Sequence, residues 1–387
     1  MARLGDIGKI ITGNTPKTSE ALNYLSNDIC FIKPSDIVDG EITELTDSEF
    51  YISEYARHNA RILPPKSVLV TCIGIIGKVA INNVECAFNQ QINAIVPDTS
   101  KCLTEYLAYA IQNKQKEMQD IANAPVVPIL NKTQFSNIEI SLPSIELQSQ
   151  IAAKIVSIDK LISLRKQQLS KLDELIKSRF VELFGDLMEN PYGWPVKKIA
   201  DISLLLKSGL SRKLLSEDIG LPMIRSCNIQ NGQFVYDDIK YWYVDDPQGA
   251  KTSDYVLDDG DILINFINSM SQIGKTAIFC DVGRECIYTT NIFRMKLAPT
   301  CNKYFYNWFA MTEYYYRQLQ NIIQPAVNQA SFTTVNFLNL SIPLPPIELQ
   351  EQFADFVEQT DKSKLAIQKS LEQLETLKKS LMQKYFG

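Results

Sequence analysis

Leu142-Pro143-Ser144-Ile145-Glu146-Leu147-Gln148 and Leu344-Pro345-Pro346-Ile347-Glu348-Leu349-Gln350 are one pattern written twice in a single chain. Each copy heads a long stretch, 144–184 and 347–386, that contains neither glycine nor proline. Apolar residues then recur, mostly in steps of three, four and seven. The first stretch has Ile151, Ile155, Ile158, Ile162, Leu169, Leu172, Ile176, Phe180 and Leu183. The second has Phe353, Phe356, Val357, Leu365, Ile367, Leu371, Leu374, Leu377, Leu381 and Met382. This rhythm predicts two helices, and a proline just ahead of each is harmless because a first helical turn leaves its N–H groups unpaired anyway. At 1.5 Å per residue, a helix of about 38 residues is about 57 Å long, more than one domain needs. Two such helices with a heptad-like seam predict a pair, formed within the chain or, alternatively, between two copies of it.

Three further blocks recur in the same order. Phe31-Ile32-Lys33-Pro34-Ser35-Asp36-Ile37-Val38-Asp39-Gly40 reads like Pro222-Met223-Ile224-Arg225-Ser226-Cys227-Asn228-Ile229-Gln230-Asn231-Gly232. Leu63–Val70 parallels Leu257–Ile264, and Ile76-Gly77-Lys78-Val79-Ala80-Ile81 parallels Ile273-Gly274-Lys275-Thr276-Ala277-Ile278. The offset grows from 192 at Ile32 and Ile224 to 194 at Leu63 and Leu257, 197 at Ile76 and Ile273, and 202 at Ile145 and Ile347, so the extra residues sit in loops between blocks. Four blocks in one order predict two similar domains. Short Val-, Ile-, Tyr- and Phe-rich runs at 67–72, 78–81, 262–266 and 276–280 read as strands broken by turns. Helical stretches follow near 103–121 and 303–322, and Tyr304, Phe305, Tyr306, Trp308 and Phe309 read as a core-facing stripe.

Phe184-Gly185-Asp186 ends the first long helix, and Asn190-Pro191-Tyr192-Gly193-Trp194-Pro195 makes a turn-rich linker. The plan is therefore a first domain at 1–143, a helix at 144–184, a linker at 185–195, a second domain at 196–345 and a second helix at 346–387. The fold class is α/β: two similar globular domains, each followed by a long helix, as an internal repeat.

Composition narrows the chemistry. The chain has 387 residues, 45% of them hydrophobic and 21% charged, which suits a folded protein with two ordinary cores. A single histidine, His58, excludes a His-rich metal site and any relay using two histidines. His58 reads as a surface or hinge residue, or as a phosphate or base contact. The eight cysteines form no CxxC pair and read as reduced core thiols of a cytosolic protein. No apolar run approaches the length of a membrane span, and the opening residues lack a signal-peptide core. A net charge of -5 argues against a strongly basic nucleic-acid coat but allows local basic patches. There is no phosphate-binding GxxxxGK[ST] loop and no GxGxxG fingerprint. Gly74-Ile75-Ile76-Gly77-Lys78 reads as a strand-turn element, and Asn190-Pro191-Tyr192 as a turn.

Taken together, these residues resemble the specificity subunit of a type I restriction–modification system, over almost the whole length. The strongest matches are Ile138–Gln150 and Leu340–Gln352, each a proline-rich strand end, then Glu and two Gln, then a long helix. The openings Leu4–Gly13 and Val196–Ile202, with Leu206-Lys207-Ser208-Gly209, resemble the family too. The resemblance implies two target recognition domains, each reading one half of a split double-stranded DNA sequence, separated by two antiparallel helices that dock the methylation subunits. It implies a non-catalytic chain: two methylation subunits would bring S-adenosylmethionine, and restriction subunits would bring ATP and Mg. From the residues alone, an assembly protein whose helices gather partners and an enzyme of unrecognised fold remain open.

Base reading needs Arg, Lys, Asn or Gln on loops, and phosphate clamping needs Lys, Arg, Ser or Thr. The candidates in the first domain are Asn14, Thr15, Lys17, Lys33, Ser35, Arg57, Arg61, Asn89, Gln90 and Gln91. In the second they are Ser211, Arg212, Lys213, Arg225, Ser226, Asn228, Ser269, Gln272, Thr290 and Asn291. Phe88-Asn89-Gln90-Gln91 and Tyr288-Thr289-Thr290-Asn291 occupy equivalent places, as polar contact loops or as plain turns.

Overall fold

The computed structural model describes residues 1–122, 127–230, 232–326 and 329–387; Asn231, in the second copy of the 31–40 block, lies outside them. The chain divides into two compact units, one of Met1–Lys166 with Lys369–Gly387, the other of Gln167–Gln368. Helices Ile145–Phe184 and Ile347–Phe386 each give half their length to either unit.

The two units share one plan. In the first, strands run in the order Gly8–Thr12, Ile92–Pro97, Val68–Thr71, Val79–Asn82 and Ile42–Leu45. In the second, the order is Ser203–Ser208, Ile292–Leu297, Ile262–Asn265 and Thr276–Ile278. A smaller sheet accompanies each. Ile29–Ile32 pairs in parallel with Cys86–Phe88, as Leu221–Ile224 does with Ile287–Tyr288. Val68–Thr71 and Ile262–Asn265 are buried throughout, so they read as short apolar runs without alternation. The strand Ile42–Leu45 pairs in parallel with Val79–Asn82, where the second unit has a single parallel bridge between Gly232 and Ala277.

Each domain is closed at the foot of its long helix. Ala2–Arg3 pairs with Glu139–Ile140, and Val196–Lys198 with Ser341–Pro343, both antiparallel. The repeated glutamine lies behind this closure. Gln148 is fully buried; its Oε1 accepts from the Leu103 amide at 2.9 Å, and its Nε2 donates to the carbonyls of Lys101 and Pro143 at 3.0 and 2.9 Å. Gln350, also fully buried, does the same with the Asn302 amide at 2.8 Å and the carbonyls of Thr300 and Pro345 at 3.2 and 2.8 Å. One carboxamide thus satisfies a donor and two acceptors where the chain turns into the helices Thr104–Asn113 and Lys303–Phe309.

The long helices pair antiparallel within each unit. In the first, Lys378 reaches Asp159 at 2.7 Å, and Phe386 packs on Tyr106 with ring centroids 5.1 Å apart. In the second, Lys364 reaches Asp173 at 2.5 Å, and Phe180 meets Phe353 at 5.3 Å. Lys364 and Lys378 occupy positions in step with the seam residues Phe353, Val357 and Leu371, and their stems are largely covered. A cation placed in an apolar seam fixes register, because sliding the helices would strand it without its carboxylate. Leu365 and Leu377, expected in the seam, are instead 57% and 48% exposed, because the heptad phase runs through Lys364 and Lys378 beside them.

The aromatic stripe is core. Phe305, Tyr306 and Phe309 are buried, and Phe305 stands 5.8 Å from Phe180 and 4.9 Å from Phe184. All eight cysteines are free thiols, but the expectation that all lie in the core fails for Cys227 and Cys280, which are exposed, and Cys30 is only half-buried. Among the described residues, no helix is long and apolar enough to cross a membrane, and no cluster of His, Cys, Asp or Glu could hold a metal ion.

Replacing Gln148 by Ala should leave the Leu103 amide and two carbonyls without partners, at about 1–3 kcal/mol for each group that water does not reach. Urea denaturation should show a clearly lowered midpoint. An unchanged midpoint would mean that this glutamine does not hold domain to helix.

Candidate nucleic-acid interface

In the first unit a glycine brings the polar loops together. A Cβ on Gly13 would stand 2.0 Å from the Asn89 carbonyl oxygen, and one on Gly209 would stand 2.1 Å from that of Tyr288. The backbone therefore crosses the Phe88–Asn89 and Tyr288–Thr289 turns at a distance only glycine permits. At the first crossing Asn14 Nδ2 donates to the Asn59 carbonyl at 2.6 Å, and Asn14 Oδ1 accepts from the Arg61 amide at 2.8 Å. The Arg61 guanidinium donates to the Thr12 carbonyl. Thr15 Oγ1 donates to Gln90 Oε1 at 2.6 Å, and Asn89 Nδ2 to Gln91 Oε1 at 3.0 Å. Asn14, Thr15, Arg61, Asn89, Gln90 and Gln91 thus form one polar cluster from three loops. Thr15 and Gln90 are exposed, while Asn89 is buried.

Of the remaining first-domain candidates, Lys17 follows on the Asn14–Thr15 segment and the others lie on other segments. Lys17 and Ser35 are exposed. Lys33 sits over the Phe50 ring, its Nζ 3.0 Å from the centroid. Arg57 is gripped by Glu54 and by Glu85, the latter at 2.7 Å, which hold its guanidinium firmly charged. His58 is exposed, edge-on to Tyr55.

In the second unit the candidates divide by role. Arg212 forks onto Asp246, with Nη2 2.6 Å from Oδ2. The Asp246 carboxylate also accepts from Trp242 Nε1 and from the amides of Gln248 and Ala250. Arg212 foremost, then these donors, hold Asp246 well below the usual carboxylate range. A carboxylate so depressed stabilises the loop above its ordinary pKa near 4 and releases it only as the pH falls through the lower folded value. Asn228 is a correction to the candidate set. It is 1% exposed, and its Nδ2 donates to the carbonyls of Val235 and Asp237 at 2.9 and 2.8 Å, so it shapes the turn. Arg225 is paired with Asp238 at 2.7 Å. Ser211, Lys213 and Ser269 are exposed; Thr290 and Asn291 are half-buried beside the Gly209 crossing.

Ser226 and Gln272 meet at a cavity of about 410 Å³, together with Cys227, Gln230, Asn268 and Lys275. Gln230, Asn268 and Lys275 were not among the sequence candidates. For Asn268 and Lys275 the available signal was the offset that grows from 194 to 197 between Leu257 and Ile273, because an insertion marks a place where the two copies differ.

A family model for the type I restriction modification DNA specificity domain matches residues 1–174 and 191–378. The chain belongs to this family. It is 30% identical over 252 residues to the type I restriction enzyme MjaIX specificity subunit of Methanocaldococcus jannaschii, covering 59% of this chain and 58% of that protein. It is 21% identical to the EcoKI specificity subunit of Escherichia coli K12, covering 100% of this chain and 88% of that protein. The match spans about half the length of the first several curated relatives. The crystal structure of a type I restriction-modification system S subunit from M. genitalium shares the fold, with a TM-score of 0.61 at 12% identity over 100% of this chain and 95% of that one.

Gly13→Ala should force the first loop crossing apart. Hydrogen exchange at the Asn14 and Asn89 amides, now bonded to the carbonyls of Phe88 and Ile32 at 3.0 and 3.1 Å, should speed up at least tenfold. Unchanged protection at both amides would contradict the close approach.

Proposed function

We propose that this chain is the DNA-reading specificity subunit of a type I restriction–modification complex. Each domain reads one half of a bipartite, asymmetric double-stranded target. The long helices set the spacing and dock two methylation subunits, and restriction subunits complete the assembly. Adenine methylation with S-adenosylmethionine, and cleavage with ATP and Mg, are the work of those partners. The chain itself is non-catalytic and works in the cytoplasm. A methylating partner must extrude its adenine from the duplex, so something must hold the flanking DNA. The candidate loops Asn14–Lys17, Arg61 and Asn89–Gln91 in one domain, and Ser211–Lys213, Ser226, Gln272 and Thr290–Asn291 in the other, are proposed to do so.

The observation that carries this reading is one strand plan built twice with different polar loops at matching places. A single enzyme active site has no need of two divergent copies, and a pure assembly protein has no need of divergent loops. Two readers of two different half-sequences need both. The modest net charge fits a chain whose partners supply much of the phosphate contact.

Methylome sequencing of a host expressing this chain with its methylation partner should give a split motif with adenine methylated in both halves. No new methylation beside a demonstrably active partner would refute the reading. The helix register supplies a second test. Asp173 faces Lys364, so residues near Lys171 lie opposite those near Ala366. Seven residues inserted at each place keep the heptad phase and add about 10 Å. The unread spacer should lengthen by about three base pairs, at about 3.4 Å per pair. An active complex with its original spacer would show that the helices do not set the distance.

A further inference from the structure

The two copies differ most tellingly at one hairpin. Thr71 and Lys78 face each other across it in the first domain, with the Thr71 amide on the Lys78 carbonyl at 3.1 Å; Asn265 and Lys275 do the same in the second, at 2.9 Å. Six residues, Cys72-Ile73-Gly74-Ile75-Ile76-Gly77, join the first pair, and none carries an amide, hydroxyl or charge. Nine join the second, Phe266 to Gly274, and they include Asn268, Ser269, Ser271 and Gln272.

The lysines follow suit. Lys78 Nζ donates to the carbonyls of Pro34 and Ile37 at 3.3 and 2.9 Å, so it ties its hairpin to the preceding turn. Ser226 stands where Pro34 stands, directly after the basic residue of the turn, yet its carbonyl accepts from Asn265 Nδ2 at 3.4 Å. Lys275 is half-buried, and among the described residues its ammonium has no hydrogen-bond or ion-pair partner. Asn265 is fully buried and its Oδ1 has no partner. Buried polar groups are normally satisfied, and a cluster that is not calls for an explanation.

We propose that the cavity bounded by Ser226, Gln230, Asn268, Gln272 and Lys275 reads a purine edge of the target, with Lys275 as its specificity-determining residue. This rests on the DNA-reading function proposed above. A free ammonium with no carboxylate in the lining requires an acceptor-rich partner. Gln230 Nε2 donates to the Cys227 carbonyl at 3.0 Å and Asn268 Oδ1 accepts from the Ser269 amide at 2.8 Å, which leaves the Gln230 oxygen, the Asn268 amide N–H groups and both ends of Gln272 to meet a ligand. Phosphate oxygens only accept and would leave the Gln230 and Gln272 oxygens idle. A purine in the major groove presents N7 with O6, or N7 with the N6 amine, which are the partners that Lys, Asn and Gln choose. In the first domain the matching lysine is spent on two backbone carbonyls, so no equivalent reader is built there.

The test uses the full chain in complex with its methylation partner. Lys275→Met should lower discrimination at one purine position of the second half-sequence by about 5- to 150-fold, the range of one good base contact. The first half-sequence and the salt dependence of DNA binding should stay as they are. A uniform loss on all sequences, with the salt slope reduced by about one, would identify a phosphate contact and overturn the proposal. An unchanged motif would overturn it too. Failure of the unaltered complex to select any split target would defeat the functional reading itself, a result distinct from either. Independently of any variant, cognate duplex should protect Cys227, exposed at the cavity, from alkylation at least tenfold, while exposed Cys280 keeps reacting. Equal reactivity of Cys227 with and without DNA would overturn the proposal.

Discussion

A buried carboxamide at the foot of each long helix is the contact on which the two-domain plan depends. Gln148 and Gln350 each join three backbone groups: one from the N-cap residue of the helix Thr104–Asn113 or Lys303–Phe309, one from the turn before it, and one from the proline that precedes the long helix. A buried backbone group without a partner is destabilising by about 1–3 kcal/mol. The glutamine therefore admits one relation between the domain and the helix that leaves it. Short strands at the start and end of each domain close around the same point, at Ala2–Arg3 with Glu139–Ile140 and at Val196–Lys198 with Ser341–Pro343. Chain direction into the helix is thereby set twice, once by a ladder and once by a side chain.

From that joint the helices carry the rest. Apolar seam residues supply the burial, but apolar contacts alone would tolerate a slip of one heptad. Lys364 and Lys378, each partly covered and each meeting an aspartate on the other helix, remove that tolerance. Loop divergence is what such a frame permits. The same strands in the same order support an all-apolar hairpin in one domain and a polar, three-residue-longer hairpin in the other. The core beneath does not change because Val68–Thr71 and Ile262–Asn265 remain fully buried in both.

The duplication, both long helices and the core nature of the 304–309 aromatics were legible in the sequence, since each is written as a local pattern or a repeat. Helix phase was less so. Leu365 and Leu377 satisfy a count of apolar spacings, but the seam runs one residue over, through lysines whose partners lie on the other helix. The candidate contacts divided for a similar reason. Arg212 and Arg57 look like free cations in sequence, yet Asp246 lies 34 residues from the one and Glu85 lies 28 residues from the other. Asn228 looks like a base reader until its carboxamide is found capping its own turn. Lys275 was hidden by the reverse effect. It sits in a repeated Ile-Gly-Lys block and so resembles Lys78, whose amine is tied to backbone, while the difference lies in the loop beside it.

The central claim is that two independent readers share one frame, and exchange of a single domain tests it most directly. Residues 1–140 should be replaced by the matching domain of a family relative that has a different target, leaving both helices intact. Contacts in separate domains should add nearly independently. Methylation mapping of the chimera with its partner should therefore show one half-sequence replaced by the donor's and the other half unchanged. A chimera that assembles and methylates but alters both half-sequences would contradict independent reading and replace it with a single composite DNA-binding surface.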